Sequence, residues 1–331
     1  MVRAMERIRR CYVAILYWGL FGVAGCSTSE FIDVKLHVKP LDHAQRLPAS
    51  DIRLEIPHLS QCTAAADDVL SLNRSQPVTL IVHGCYSSAA KFRALADIYA
   101  FHGQQTVCFN YDDRDRLETS AEQLARAVNQ LTATLNNQPI DVIGHSQGGL
   151  VARRAFTEKA KIPLSDKANL RLVTISTPFA GIEASSHCGS PWISAFSLGI
   201  SNLICQMVTG SKWREIPPNA DFIQQPGSLL ENVKEHLRIA TDERNSCRTY
   251  NDDGLCVKDD FVFSLNEQVF ERVDKFSALS GLVVQAGHAE IVGDENVAPV
   301  KLIATLQQHG YLNQTPLVLA DAFNKRLKEW Y

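Results

Sequence analysis

The sequence contains no CxxC pair and no histidines at zinc-finger spacing, which removes the usual sequence grounds for a structural metal site. It also lacks a concentrated basic stretch. With 33 Lys and Arg against 36 Asp and Glu, the formal charge is −3, so no basic face is available for nucleic acid. Internal repeats and low-complexity tracts are absent, and the composition excludes disorder and collagen-like repetition. What remains is a chain of 331 residues, 45% hydrophobic and 21% charged, long enough to bury a sizeable core.

The N-terminus reads "MVRAMERIRRCYVAILYWGLFGVAGCSTSE": a basic start, an apolar stretch from Cys11 to Val23, then small residues leading into Cys26. That order is the one of a secretory signal peptide, and the apolar stretch is short for a membrane-spanning helix. "VAGC", Val23 to Cys26, resembles the lipobox of bacterial lipoproteins. The resemblance implies that residues 1–25 are removed, that Cys26 is acylated, and that the mature chain 26–331 is held to a membrane by its acyl chains. Ser27 in place of an aspartate resembles the outer-membrane sorting pattern, which implies a domain facing the periplasm or the exterior. An ordinary cleaved signal and an uncleaved anchor helix are the alternatives. Losing the leader takes four arginines and one glutamate, and the formal charge moves from −3 to about −6.

Export permits disulfides. Spacing within loops suggests Cys247 with Cys256 and Cys188 with Cys205. The cysteines other than Cys26 leave at least one thiol free, and connectivity is not deducible from sequence.

Six nearly continuous apolar, β-branched runs read as strands: Pro77 to Gly84, Gln105 to Tyr111, Pro139 to His145, Leu170 to Thr177, His236 to Thr241 and Ser280 to His288. Helical patterns alternate with them. In "SAAKFRALADIYAFHG" the apolar residues Phe92, Leu95 and Ile98 or Tyr99 recur at helical spacing before Gly103. In "TSAEQLARAVNQLTATL" Leu124, Val128, Leu131 and Leu135 share a face behind a cap at Thr119 or Ser120. Strand–helix alternation predicts an α/β fold with a mostly parallel sheet flanked by helices, its reactive site at the carboxyl ends of the strands. Asp33 to Leu41 and Asp51 to Pro57 alternate more and look like an edge pair.

The interval from about 179 to 233 is too long for a loop. Ile193, Phe196, Ile200, Leu203 or Ile204, and Met207 fall there at helical spacing, which predicts a helical cap inserted into a single domain. Such an apolar stripe, with Trp192 and Trp213 nearby, is either buried core or a lid over an acyl pocket.

"DVIGHSQGGLVARRAF" places Ser146 between Gly144 and Gly148, after a predicted strand and before a predicted helix. In that context G-x-S-x-G is a nucleophile elbow, a sharp turn that presents a serine hydroxyl and that bulky neighbours would obstruct. The segment resembles the α/β-hydrolase family, and "GHSQGG" looks like the form found in bacterial lipases. The resemblance implies a Ser, Asp or Glu, His triad in that chain order. His288, directly after the last strand, is the expected base, against His236, His309 and His187. Asp259 of "VKDDFVFS" is the expected acid, with Asp260 as second choice and Asp253 and Asp242 behind them. The N–H of Gln147 and that of Cys85 in "VHGCYSS", or of Tyr86, are expected to form the oxyanion hole. Cys85 as a thiol nucleophile, or in a disulfide with Cys108 or Cys62, are its other readings.

The function so implied is hydrolysis of carboxylic esters, lipase- or esterase-like, on an ester or lipid substrate, with no cofactor and no metal. An amidase or thioesterase is compatible with the same residues, and a non-catalytic envelope binding or scaffold protein could use the same fold.

Overall fold

Five of the six apolar runs become the inner strands of one sheet because they are covered on both faces, while Ser280 to His288 forms a largely exposed edge strand. The structure, a computed structural model, describes residues 47–62, 69–85, 87–189, 210–275, 279–294 and 297–331. All of these belong to one unit spanning Lys39–Tyr331. In chain order the strands are β1 Ile52–Glu55, β2 Leu59–Ser60, β3 Val69–Leu72, β4 Val78–Val82, β5 Gln105–Phe109, β6 Ile140–His145, β7 Leu170–Ile175, β8 Val233–Asp242, β9 Cys247–Tyr250, β10 Cys256–Asp259 and β11 Leu279–Gln285. Seven of them form the main sheet in the order β11-β8-β7-β6-β4-β5-β2. Neighbours are parallel except β2, which closes one edge antiparallel to β5. All six runs marked in the sequence are in this sheet.

The helices are α1 Arg93–Phe101, α2 Leu117–Thr134, α3 Gln147–Ala155, α4 Asp221–Gln224, α5 Leu265–Gln268, α6 Glu271–Lys275, α7 Val300–Gln308 and α8 Ala320–Trp330. Strand alternation sends Leu80, Val82 and Val142 to one face, where they pack with α2 and α3. Ile81, Ile143 and Val173 point to the other, against α1, α7 and α8. Leu124, Val128, Leu131 and Leu135 are all buried, as their spacing requires. The start of α2 differs from expectation. It begins at Leu117 rather than behind Thr119 or Ser120, because the Glu215 carboxylate, distant in sequence, accepts the Leu117 N–H at 2.5 Å and caps the first turn.

The expected edge strand Asp51 to Pro57 has a partner that was not marked in the sequence. β1 pairs antiparallel with β3, and the two form a small separate sheet. Asp33 to Leu41 lies outside the described residues, as do the leader, Cys26 and the stripe from Ile193 to Met207. Between β7 and β8 the described parts are short 3-10 turns at Glu183–Gly189 and Gly210–Arg214, then α4. Trp213 there is buried, with the Arg214 guanidinium over its ring at 4.7 Å.

Disulfides join Cys62 to Cys108 and Cys247 to Cys256, the second as expected, while Cys188 with Cys205 lies outside the described residues. Cys85 is free, so its disulfide with Cys62 or Cys108 is ruled out: those two bond each other.

Burial of His236 in β8 sets a pH dependence of stability. Its Nε2 lies 2.9 Å from Thr174 Oγ1. Burial, reinforced by the charges of Arg153 and Arg238, pushes its pKa down to about 3. The unfolded chain takes up this proton near the ordinary value of about 6.5, and the folded one does so only far lower. Stability is therefore full above about 6.5 and is lost as pH falls from there toward the folded value, at up to about 1.4 kcal/mol per pH unit for this residue. His236→Gln should show a shallower loss of denaturation midpoint than wild type between about pH 7 and about pH 5. Equal slopes would contradict this account.

Candidate active site

Because the inner strands run parallel, their carboxyl ends meet at one rim, and the loops after β4, β6, β8 and β11 converge there. Ser146 follows β6 and immediately precedes α3, with φ 56° and ψ −126°. A non-glycine residue at positive φ is strained, and the neighbours hold it in place. Its N–H donates to Ile175 O at 2.8 Å, and its carbonyl accepts from the Gly149 N–H at 3.0 Å. The two motif glycines are steric requirements. A Cβ on Gly148 would lie 2.3 Å from the Val82 carbonyl oxygen, and one on Gly144 would lie 2.7 Å from the Gly149 backbone. The turn therefore puts α3 hard against β4 and leaves Ser146 at the helix N-terminus, only 6% exposed.

His288 lies in the loop after β11, as expected. The His145 Nε2–H donates to its carbonyl at 3.0 Å, and the two rings are 4.8 Å apart, so the residue before the serine holds the His288 loop beside the elbow. His145 is fully enclosed. Burial, with the neighbouring His288 charge adding to it, holds its pKa well below the usual histidine value, so it stays neutral. Phe263 packs edge-on against the other side of the His288 ring at 5.0 Å.

The carboxylate on His288 is that of Glu243, neither Asp259 nor Asp260. His288 Nδ1–H donates to Glu243 Oε1 at 2.9 Å, and Glu243 is 1% exposed. Its Oε1 also accepts from Thr241 Oγ1 at 2.9 Å, and its Oε2 accepts the N–H groups of Val262 at 2.6 Å and Phe263 at 2.8 Å. Glu243 directly follows β8, so the chain order is Ser146, Glu243, His288, the order in which α/β-hydrolases place serine, acid and histidine.

Asp259 is exposed at the end of β10 and turns its carboxylate onto the Phe261 N–H at 2.8 Å. Asp260 is buried and belongs to a different task. It accepts from Arg248 Nε at 2.6 Å and from the N–H groups of Ala289 and Glu290 at 3.0 Å, while its own carbonyl accepts the His288 N–H at 3.0 Å. Asp260 thus anchors the loop that carries His288. Asp242 ion-pairs with Arg244 at 2.5 Å, and Asp253 is exposed in the β9–β10 turn. Of the rival bases, His236 is sealed inside β8 and His309 ends α7.

Of the residues expected to supply oxyanion donors, Gln147 directly follows Ser146 and Cys85 lies in the loop after β4. As the first residue of α3, Gln147 has no earlier turn to take its N–H. The loop after β4 is braced by Tyr111 Oη–H donating to His83 O at 2.7 Å and by the His83 ring stacked on Tyr111 at 4.4 Å. Burial raises the Cys85 thiol pKa against the opposing pull of Lys212, which keeps it protonated and argues against a thiolate nucleophile. Tyr86 lies outside the described residues. Among the described residues no cluster of His, Cys, Asp or Glu could hold a metal ion.

A serine on a strained strand-to-helix turn, at the carboxyl rim of a parallel sheet in this order, defines the α/β-hydrolase fold. Residues 53–209 match a family model described as Domain of unknown function (DUF7379). No curated protein matches the chain in sequence. Among solved structures, the chain is similar to the mature form of a Bacillus licheniformis lipase, with 12% identity over 77% of this chain and 97% of that one and a TM-score of 0.46. The match to that lipase with its propeptide has 14% identity and a TM-score of 0.39, and covers 53% of this chain but only 37% of that one. It is also similar to carboxyl esterase 2 of the fungus Tuber melanosporum, with 14% identity over 86% and 88% of the two chains and a TM-score of 0.47.

The two neighbouring aspartates should separate by stability. Asp260→Ala strands buried N–H groups and should cost about 1–3 kcal/mol in chemical denaturation. Asp259→Ala, at an exposed site, should stay within about 0.5 kcal/mol of wild type.

Proposed function

We propose that this protein is a serine hydrolase that cleaves carboxylic esters through an acyl-enzyme. The observation that carries the reading is the pairing of a strained, elbow-borne Ser146 with a His288–Glu243 hydrogen bond of 2.9 Å on the adjoining loop. Ser146 Oγ bonds to the ester carbonyl carbon while His288 takes its proton, and Glu243 holds the imidazolium that forms. The N–H groups of Gln147 and Cys85 stabilise the oxyanion. Collapse breaks the ester C–O bond, and His288 returns the proton to the departing alcohol. Water, deprotonated by His288, then releases the carboxylic acid and frees the serine.

The substrate is an ester or a lipid, met at a membrane to which the acylated Cys26 tethers the domain after loss of residues 1–25. The order of basic, apolar and small residues before Cys26 supports export, and so do two disulfides, which form in oxidising compartments. The domain would then face the periplasm or the exterior.

A fluorophosphonate probe should label wild type and not Ser146→Ala; equal labelling of both would end the nucleophile assignment. Glu243→Gln should lower kcat by about 10³- to 10⁴-fold, since the imidazole loses its orienting charge, while Asp259→Asn should leave kcat within about twofold. Activity against esters of graded acyl length, with and without a lipid interface, separates lipase from short-chain esterase. Cleavage of amides or thioesters in preference to esters would overturn the ester reading.

A further inference from the structure

Lys212 is a buried charge that the proposed triad does not use. It lies in the 3-10 turn Gly210–Arg214, between β7 and β8, and is 3% exposed. Its ammonium has three hydrogens and meets three acceptors: Gln147 Oε1 at 2.5 Å, Cys85 Sγ at 3.0 Å and the Asp113 carbonyl oxygen. The paired carboxylate, Asp113 Oδ2, is 3.9 Å away. Burying an ammonium against such neutral acceptors is a poor way to gain stability, because an apolar side chain of similar volume would avoid the desolvation penalty.

What those acceptors share is the site. Gln147 and Cys85 are the two residues whose N–H groups the proposed mechanism assigns to the oxyanion, and they come from separate loops, after β6 and after β4. The third anchor is the segment after β5, to which the lysine's own turn is fastened at both ends. Ser211 N–H donates to Arg114 O at 2.7 Å, and Glu215 takes the Leu117 N–H at 2.5 Å and the Arg116 Nε at 3.0 Å. Gln147 Nε2 also reaches Asp113 O at 2.9 Å, so a single polar knot joins three loops.

We propose that Lys212 is a positioning residue for the oxyanion hole, tying both donor residues to a fixed platform and setting the spacing of their N–H groups. This rests on the proposed acyl-transfer chemistry at Ser146. Donors misplaced by a fraction of an ångström lose transition-state stabilisation without altering ground-state binding. The turn 210–214 is also where the chain returns from the segment 190–209, so the hole is fastened to the insertion between β7 and β8.

The test uses the full chain with a soluble p-nitrophenyl ester and a trifluoromethyl ketone, whose adduct with the serine carries an oxyanion. Lys212→Met should lower kcat by about 10- to 100-fold with KM within about threefold, and weaken the ketone in proportion to kcat/KM. Cys85→Ala and Gln147→Met each remove one strut and keep the backbone N–H. Each should lower kcat, and neither should lower it much further in the Lys212→Met background, because the three act as one unit. If Lys212→Met does not fold, the two strut variants carry the test alone, with the same expected loss of kcat and of ketone affinity. A change confined to KM, unchanged ketone affinity, or additive losses would overturn the positioning role while leaving Ser146 as nucleophile. A wild-type chain that fluorophosphonate does not label would overturn both.

Discussion

A carboxylate sealed from water must find donors on both of its oxygens, and Glu243 finds them on three separate pieces of chain. Thr241 comes from the end of its own strand, Val262 and Phe263 from the return of the β9–β10 excursion, and His288 from the loop after β11. Strand pairing already sets the end of β8 beside the end of β11; the shared acceptor and the packing of Phe263 on the imidazole draw the return of the excursion onto both. The rim of the sheet is organised around one buried negative charge, which fixes the histidine's tautomer as well as its place. Asp260 repeats the device a few residues away, with a second buried carboxylate gathering the N–H groups that follow His288.

The serine side of the site is built on steric rather than electrostatic grounds. The backbone at Ser146 is held at positive φ by the hydrogen bond to Ile175 O and by a helix that approaches β4 too closely for a side chain at position 148. The two halves meet through His145, whose buried, neutral ring donates to the His288 carbonyl. The motif's variable position, which can hold any residue as far as the elbow is concerned, is here the joint between the Ser146 turn and the His288 loop.

The sheet was legible in the sequence because its inner strands are buried on both faces and read as unbroken apolar runs. Ser146, His288 and the face of α2 followed from spacing and order. Glu243 did not. It sits in "ATDERNSC", one residue past Asp242, where the chain leaves the strand, and nothing in that local pattern tells which of two adjacent acids points inward. The segment "VKDDFVFS" looked right because it is part of the site, through the Val262 and Phe263 amides and through Asp260 as an anchor, though its carboxylates do not touch the imidazole. β1 lies in the expected edge strand Asp51 to Pro57, but its partner β3 is four residues long and only half covered, and carries too little signal to be marked. The cap of α2 was invisible for a different reason: the group that supplies it, Glu215, is remote in sequence, and local capping rules see only neighbours.

The β9–β10 hairpin lies between Glu243 and Asp260, closed by its own disulfide and joined to the domain at a neck where the Asp260 N–H faces the Ser246 carbonyl at 3.4 Å. Its strands pair only with each other, and Tyr250, Leu255 and Val257 on it stay exposed. Lengthening a loop whose ends already meet costs little. Glu243 and Asp260 can therefore keep their places, with Arg248 still on Asp260, while the hairpin beyond Arg248 changes in length and composition. The distance in sequence between Glu243 and His288 can thus change without changing their distance in space.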